Sequence, residues 1–198
     1  MSGLNVDDLE SLIVDGANQA YDLKETELGD LMHRGERLTM LNAIDYHWRR
    51  HLTDLDILRH MNNGRYLSLA DLGRWDLVVR IGVFARTQQL GWIPLLSQAS
   101  ATFRKSLVLG QRFELQTRMI GTDDRAVLME QRFVSGGEIY MQLITRTRFV
   151  KRSGGVVTMD ELHNKLGTLP DEIPEWVHQW AESSRLVSAR EKLPSDWK

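Results

Sequence analysis

The chain has 198 residues, 42% hydrophobic and 26% charged, which suits one compact domain with extensions. Its 25 basic and 27 acidic residues nearly balance, so no long-range field favours nucleic acid or an anionic membrane surface. The absence of cysteine excludes disulfides, thiolate zinc sites and a cysteine nucleophile. The polar start lacks the basic and apolar regions of a signal peptide, and no stretch approaches the roughly 20 apolar residues of a membrane span. We therefore expect a cytoplasmic protein that neither inserts into membranes nor binds nucleic acid.

The first forty residues carry apolar side chains at helical spacing in two stretches, which predicts a helical N-terminal extension over residues 1–42. Over residues 44–52 the period becomes two, because Ile44, Tyr46 and Trp48 alternate with polar residues. This alternation predicts a half-buried strand. The polar run 54–66 follows, with two carboxylates, an imidazole, two amides and a phenol. We expect the chemistry to be concentrated in this run.

A long helix is predicted over residues 63–81, with apolar residues around most of its circumference. This distribution indicates a helix buried on all sides. Gly82 is suited to end the helix, and Gly91 with Pro94 indicates a loop before the next element.

Four segments with alternating apolar residues come next. Their apolar faces are formed in turn by Ala99, Ala101 and Phe103; by Phe113, Leu115 and Met119; by Val127, Met129 and Phe133; and by Ile139, Met141, Leu143 and Phe149. Turn signals at Gly110, at 121–124 and at 136–137 predict three hairpins and hence an antiparallel meander. With the first strand this gives five strands in a domain that spans residues 43–152. The open edges of such a sheet predict a symmetric homodimer.

Residues 153–198 are predicted to form a helical C-terminal extension. A short helix covers 159–166, Pro170 and Pro174 interrupt the chain, and a second helix begins near Glu175. We expect Trp176 and Trp180 to pack on the domain or on a partner subunit.

The polar run has the pattern Asp-x-Asp followed by His-x-Asn-Asn-x-x-Tyr, placed between a strand and a long helix. This pattern resembles the hotdog-fold acyl-CoA thioesterases of the 4-hydroxybenzoyl-CoA type. Segments 102–107 and 121–125 resemble in particular the branch related to thioesterase superfamily member six. The resemblance covers roughly residues 44–151. One position departs from it, because Arg59 stands where the family usually has a glycine, which affects the loop path and the shape of the acyl pocket.

The resemblance implies an α+β hotdog fold, in which a five-stranded antiparallel sheet wraps around a long central helix. It also implies an acyl-CoA substrate and a homodimer, with a dimer of dimers left open. No metal or cofactor is implied. Two other classes of function stay open, namely a hotdog hydratase or dehydratase on acyl thioesters, and a non-catalytic protein that binds acyl thioesters or acts as a scaffold.

Thioester hydrolysis needs a group that activates water or attacks the carbonyl, and donors for the developing oxyanion. The resemblance assigns the first role to Asp56, as general base or nucleophile. The helix start at Asn63 and Gly64 offers backbone N–H groups and a positive dipole end to the thioester carbonyl. Asp71, on the same helix, is a second candidate carboxylate. The alternatives are loop fixing or capping for Asp56, capping for Asn63, and an ion pair with Arg74 for Asp71.

Five residues are predicted to shape the substrate site: His60, Asn62, Tyr66, Arg104 and Lys105. The basic pair would meet the phosphates of coenzyme A. A structural role is the alternative for the first three, with Asn62 as the helix cap and the Tyr66 hydroxyl holding the loop. Cross-strand ion pairs, such as one between Glu114 and a nearly opposite Arg132, would account for most of the other basic residues of the sheet.

Overall fold

The computed structural model describes residues 38–39, 60–108, 110–167, 169–186 and 191–195 of the chain. These residues form an α+β fold with four helices, four long strands and one two-residue strand. In chain order the elements are β1 (Leu38–Thr39), α1 (Asn63–Arg80), α2 (Val83–Gln89), β2 (Trp92–Phe103), β3 (Glu114–Thr122), β4 (Val127–Ser135), β5 (Glu138–Lys151), α3 (Met159–Leu166) and α4 (Glu175–Ser183). The predicted strand 44–52 and the motif residues Asp54, Asp56 and Arg59 lie outside the described residues.

The sheet is antiparallel throughout, with the strand order β1-β3-β4-β5-β2. Hairpins join β3 to β4 and β4 to β5, as predicted. The connection at Gly110 is not a hairpin, because β2 pairs with β5 at the far side of the sheet. The simple meander is therefore wrong for the first of its three connections. The strand count also needs correction, since the described sheet has four long strands rather than five.

Strand β2 begins at Trp92, seven residues before its predicted apolar face, and includes Pro94 opposite Phe149. The predicted loop at Pro94 is thus part of the strand. Proline is compatible with this position because β2 lies at an edge of the described sheet, where one row of backbone groups has no neighbouring strand.

Helix α1 matches its predicted limits, and Gly82 follows it with a φ of 74°. A further helix, α2, starts at once and was not predicted. Burial of α1 is one-sided, because Leu67 and Trp75 are 41% and 40% exposed. The prediction of a helix buried on all sides is therefore wrong for the single chain, since the sheet covers one face of the helix and leaves the other uncovered.

The closest approach of α1 to the sheet is at Gly73. A Cβ atom there would lie 2.7 Å from Leu115 Cδ2 and 3.0 Å from both Gln131 Nε2 and Thr117 Oγ1. Gln131 is fully buried, and its amide donates to the Ala70 carbonyl oxygen at 2.8 Å and to Thr117 Oγ1 at 3.0 Å. A glycine is therefore required where this buried amide bonds to the helix backbone.

The C-terminal segment covers one part of the outer face of the sheet. There the buried side chains of Ile120, Leu128, Ile144 and Val177 form a small core, against which Ile173 and Trp180 pack. The Glu172 N–H also donates to the Ile120 carbonyl oxygen at 2.8 Å. Trp180 therefore packs on the domain as expected, whereas Trp176 is 46% exposed. The limits predicted for α3 and for the start of α4 are confirmed.

An acid–base cluster occupies another part of the outer face. The predicted pairing of Glu114 with Arg132 is wrong, because the register of β3 and β4 places Glu114 opposite Val134 and Arg132 opposite Gln116. Glu130 is instead the shared partner, bonded to Arg118, Arg132 and Gln142. Burial would raise the pKa of Glu130. Its hydrogen bonds to the Gln142 amide and to the two guanidinium groups have the larger combined effect, so the pKa is lowered.

In the part of the chain that the structure describes, no helix is long and apolar enough to cross a membrane.

We expect Gly73→Ala to destabilise the fold, although alanine normally favours a helix over glycine by about 1 kcal/mol. The added methyl group would displace the hydrogen-bonded Gln131 amide or lift α1 from the sheet, at a cost of about 1–3 kcal/mol. Urea unfolding measures the change. Ser68→Ala, at an exposed position of the same helix, is the matched control and should change stability by less than about 0.5 kcal/mol. An unfolding free energy for Gly73→Ala at or above that of wild type would contradict the role of Gly73.

Candidate functional site

The second half of the polar run is held against the segment 104–108. His60 forms an isolated antiparallel bridge with Val108, and the Met61 N–H donates to the Leu107 carbonyl oxygen at 2.9 Å. The start of α1 and the end of β2 therefore form one surface.

Asn62 is the N-cap of α1. Its Oδ1 accepts a hydrogen bond from the Gly64 N–H at 2.8 Å, and its carbonyl oxygen accepts from the Arg65 N–H at 2.9 Å. The Gly64 N–H, one of the two predicted oxyanion donors, is thus engaged by the cap. Within the described part of the chain, no acceptor takes the Asn63 N–H. Asn63 therefore presents the available donor at this helix end, where the helix dipole is positive.

Tyr66 is buried beneath this surface and supports the segment 104–108. Its side chain is 1% exposed, and its hydroxyl accepts a hydrogen bond from the Leu107 N–H at 3.0 Å. Its ring meets Phe103 and Phe133 edge to face, with centroids 5.4 and 5.0 Å away. Burial raises the pKa of the phenol, so Tyr66 stays neutral at physiological pH. This geometry agrees with the structural alternative for Tyr66.

Arg104 and Lys105 lie at the same end of α1, because the segment that carries them contacts Met61 and Tyr66 through Leu107. Both backbone N–H groups donate to the Tyr140 carbonyl oxygen, at 2.8 and 3.0 Å. Both side chains pair with Glu138, and each is about half exposed. The two cations therefore face solvent, paired with a carboxylate that is itself exposed.

Asp71 lies about two turns further along α1 and forms an ion pair with Arg74. Arg74 Nη1 also donates to Gln131 Oε1 at 2.7 Å. The Arg74 side chain is only 14% exposed, against 60% for Asp71. Burial lowers the pKa of the guanidinium group, which remains charged. The local ion pair predicted as the alternative for Asp71 is therefore present, and the buried amide of Gln131 orients it.

The sequence interpretation did not identify Gln131 and Thr117 as site residues, although the sequence contains a signal for both. Gln131 interrupts the apolar row of Val127, Met129 and Phe133, and Thr117 interrupts the row of Leu115 and Met119. A polar residue inside a row of helix-facing apolar positions needs a hydrogen-bond partner when buried. Here the partners are the backbone of α1 and Arg74.

The structure thus brings together most of the predicted site residues. His60, Asn62, Asn63, Gly64 and Tyr66 share one surface with the segment that carries the two basic residues. Asp71 is separate from them, about 12 Å along the helix axis from Asn63 at 1.5 Å per residue. The position of Asp56 lies outside the described residues.

The family model described as the Thioesterase-like superfamily matches residues 51–181. This match covers all four long strands, helices α1 to α3, most of α4 and the site at the start of α1. The chain therefore belongs to the thioesterase-like superfamily.

The individual relatives agree with this assignment. Protein THEM6 of Xenopus laevis is 32% identical over 149 residues, which are 73% of this chain and 72% of that protein. Protein THEM6 of Danio rerio is 31% identical over 151 residues, 74% of this chain and 75% of that protein. The predicted resemblance to the branch of thioesterase superfamily member six is thereby confirmed.

Solved structures share the fold at low sequence identity. YbaW of Escherichia coli, described as a probable thioesterase, superposes with a TM-score of 0.56 at 17% identity, over 60% of this chain and 92% of that chain. The DHNA-CoA thioesterase of Staphylococcus aureus gives a TM-score of 0.51 at 14% identity, over 70% of this chain and 92% of that chain. These superpositions support the hotdog architecture.

The N-terminal region is similar to a different protein. The family model of the SecA Wing and Scaffold domain matches residues 1–70. SecA 1 of Nitrosospira multiformis is 44% identical over 57 residues, which are 28% of this chain but only 6% of that translocase. The two family matches overlap over residues 51–70, so the polar run 54–66 lies within both matches.

We expect Tyr66→Phe to destabilise the protein by about 1–3 kcal/mol, because it leaves the buried Leu107 N–H without its acceptor. Urea unfolding gives the magnitude. Tyr140→Phe is the matched control, since Tyr140 is only partly buried and its hydroxyl has no hydrogen-bond partner among the described residues, and its effect should be small. Equal stability of the two variants would show that the Tyr66 hydroxyl does not hold the segment 104–108.

Proposed function

We propose that the protein hydrolyses acyl-CoA thioesters to the free acid and coenzyme A. The observation that carries the proposal is the capped start of α1, with the Asn63 N–H beside a segment bearing two exposed cations, in a chain of the thioesterase-like superfamily. A helix N-terminus attracts a carbonyl oxygen that gains negative charge, and exposed cations attract the phosphates of coenzyme A. Both requirements of the substrate are thus met on one surface.

Asp56 is the proposed general base or nucleophile. The proposal rests on its place in the motif, four residues before His60 along the chain. In this proposal its carboxylate activates water, or attacks the thioester carbon directly, while the Asn63 N–H stabilises the oxyanion. Gly64, which has no side chain, lets the substrate approach the helix backbone.

Arg104 and Lys105 are the proposed partners of the coenzyme A phosphates. Their ion pairs with Glu138 are solvent-exposed and therefore contribute little stability. A phosphate group can replace Glu138 as their partner at small cost, which favours this pair as a ligand contact. Binding that depends on these two cations should weaken as ionic strength rises.

Asp71 is proposed as a second functional carboxylate, which acts on the substrate bound to the partner subunit of a dimer. Its bond to Arg74, which Gln131 orients in turn, fixes the carboxylate in one direction on the helix surface. The exposed side of α1, with Trp75 and Leu67, carries the same carboxylate. A partner subunit that covers this side would bring Asp71 to its own substrate.

The homodimer is proposed to form through the edge strand β2. Large apolar side chains on β2 remain exposed, namely Ile93, Leu95, Leu96 and Phe103. Among the described strands none pairs with the outer edge of β2, and unpaired strand edges favour association. A second copy that pairs its own β2 there would cover these side chains and the exposed side of α1. A dimer of dimers through the outer faces of the sheets would have to avoid α4.

We expect Asp56→Asn to lower kcat for acyl-CoA hydrolysis by about 10²–10⁴, because the amide can neither accept the proton of water nor attack the carbonyl. Hydrolysis of a series of acyl-CoA thioesters measures the loss. Asp54→Asn removes a charge two residues earlier and is the matched control, for which we expect less than a tenfold loss. Undiminished hydrolysis by Asp56→Asn would reject the assigned role, and absence of hydrolysis by the wild type would reject the function.

We expect Ile93→Lys/Leu95→Lys to convert the dimer into a monomer. In a symmetric antiparallel pair of β2 strands the added charges of both copies would lie in the interface and would be buried there without counter-ions. Sedimentation velocity at low micromolar concentration distinguishes the two states. Leu186→Lys, at a position 77% exposed and outside the sheet, should leave the dimer intact. A double variant that remains dimeric would place the interface elsewhere.

A further inference from the structure

A cavity of about 200 Å³ lies between α1 and the helix-facing side of the sheet. Helices α2 and α3 close it at the end of α1. Apolar and aromatic side chains form most of its wall, among them Trp75 and Phe84, whose rings meet edge to face with centroids 5.5 Å apart. The wall is therefore suited to an apolar ligand.

The cavity has an exposed mouth, where its two charged residues lie, and a buried apolar floor. Leu96 and Trp75 are 52% and 40% exposed and mark the mouth, whereas Leu162 and Leu166 are buried at the floor. Among the described residues that line the cavity, only Asp71 and Arg74 are charged, and they pair with each other at the exposed end. A ligand that fits this gradient has an apolar end, which enters first, and a polar end, which stays outside.

The size of the cavity limits the apolar end. An apolar protein cavity of about 150 Å³ takes up benzene. A cavity of about 200 Å³ therefore has room for one six-membered ring with one or two further carbons, or for an aliphatic chain of similar volume. A long fatty acyl chain exceeds this space, because the buried leucines and Phe149 close the floor.

We propose that this cavity is the acyl chamber, and that the substrates are thioesters whose acyl group has about six to eight apolar carbons. This inference rests on the proposed thioester hydrolysis and adds the substrate class. In the proposed dimer the mouth, with its paired Asp71 and Arg74, faces the partner subunit, so the acyl group enters the chamber of one subunit while the thioester lies at the start of α1 of the other. The Gln131 amide keeps Arg74 in place, so that the cation stays bound to protein groups and leaves the cavity apolar.

Thr147 provides the means to test the chamber. It lines the cavity from β5, between Leu96 of β2 and Val127 of β4. Thr147→Phe places a ring in the chamber at a position where strands favour aromatic residues. The matched control is Thr102→Phe, which adds the same ring to an exposed position of β2 on the opposite face of the sheet.

The experiment measures binding of S-alkyl-CoA thioethers, which have no carbonyl and are not hydrolysed, by calorimetry on the full chain. We expect the wild type and Thr102→Phe to bind S-octyl-CoA or S-phenethyl-CoA at least tenfold more tightly than S-ethyl-CoA. S-hexadecyl-CoA should bind no more tightly than S-octyl-CoA.

In Thr147→Phe the octyl or phenethyl probe should bind less than about threefold more tightly than S-ethyl-CoA. The Kd of S-ethyl-CoA for this variant should stay within about twofold of its wild-type value. The stronger of the octyl and phenethyl probes identifies a chain or a ring as the preferred group.

Three outcomes would overturn the chamber: equal affinity of wild type for ethyl and octyl or phenethyl probes, tenfold tighter binding of the hexadecyl probe, or an unchanged preference in Thr147→Phe. Hydrolysis of the matching acyl-CoA thioesters is measured in parallel. If no thioester is hydrolysed but the thioethers follow the expected order, the proposed function fails and the chamber stands.

Discussion

The buried amide of Gln131 is the contact on which the arrangement of this molecule depends. It donates to the backbone of α1 at Ala70, accepts from Arg74 and bonds to Thr117, so it joins the helix to the sheet through hydrogen bonds that an apolar core residue cannot make. Gly73 allows the two backbones to approach. This contact fixes α1 over β3 and β4, and the cavity lies further along the helix, between it and all four long strands.

One helix thus serves two separate tasks. Its start, capped by Asn62 and braced by Tyr66, presents a backbone donor beside exposed cations, which suits the polar and anionic parts of a thioester. Its middle carries Asp71 and Arg74 at the mouth of an apolar cavity. Rotation of the helix would disturb both places together, and the contact with Gln131 opposes such a rotation.

Sequence reasoning succeeded where the signal is local. The limits of α1 follow from Asn62 and Gly82, and the limits predicted for α3 agree with the structure, which has a capping box of Thr158 and Glu161 at the start of that helix. It failed where the determinant is distant along the chain. Alternation shows that β2 is a strand but does not show that its partner is β5. The register shift near Gly121 likewise changes every cross-strand pair beyond it. At the site, the motif indicated the start of α1, whereas the bond between Gln131 and Arg74 joins residues 57 positions apart.

The cover of the outer face has a consequence for how the protein is made. Ile120, Leu128 and Ile144 belong to β3, β4 and β5, whereas Val177, which buries them, belongs to α4. Synthesis from the N-terminus completes the sheet before α4 exists, so each nascent chain exposes an apolar sheet surface for a time. During that interval the surface is a natural contact for a chaperone, and a chain that ends after β5 would keep this surface exposed and be prone to aggregation.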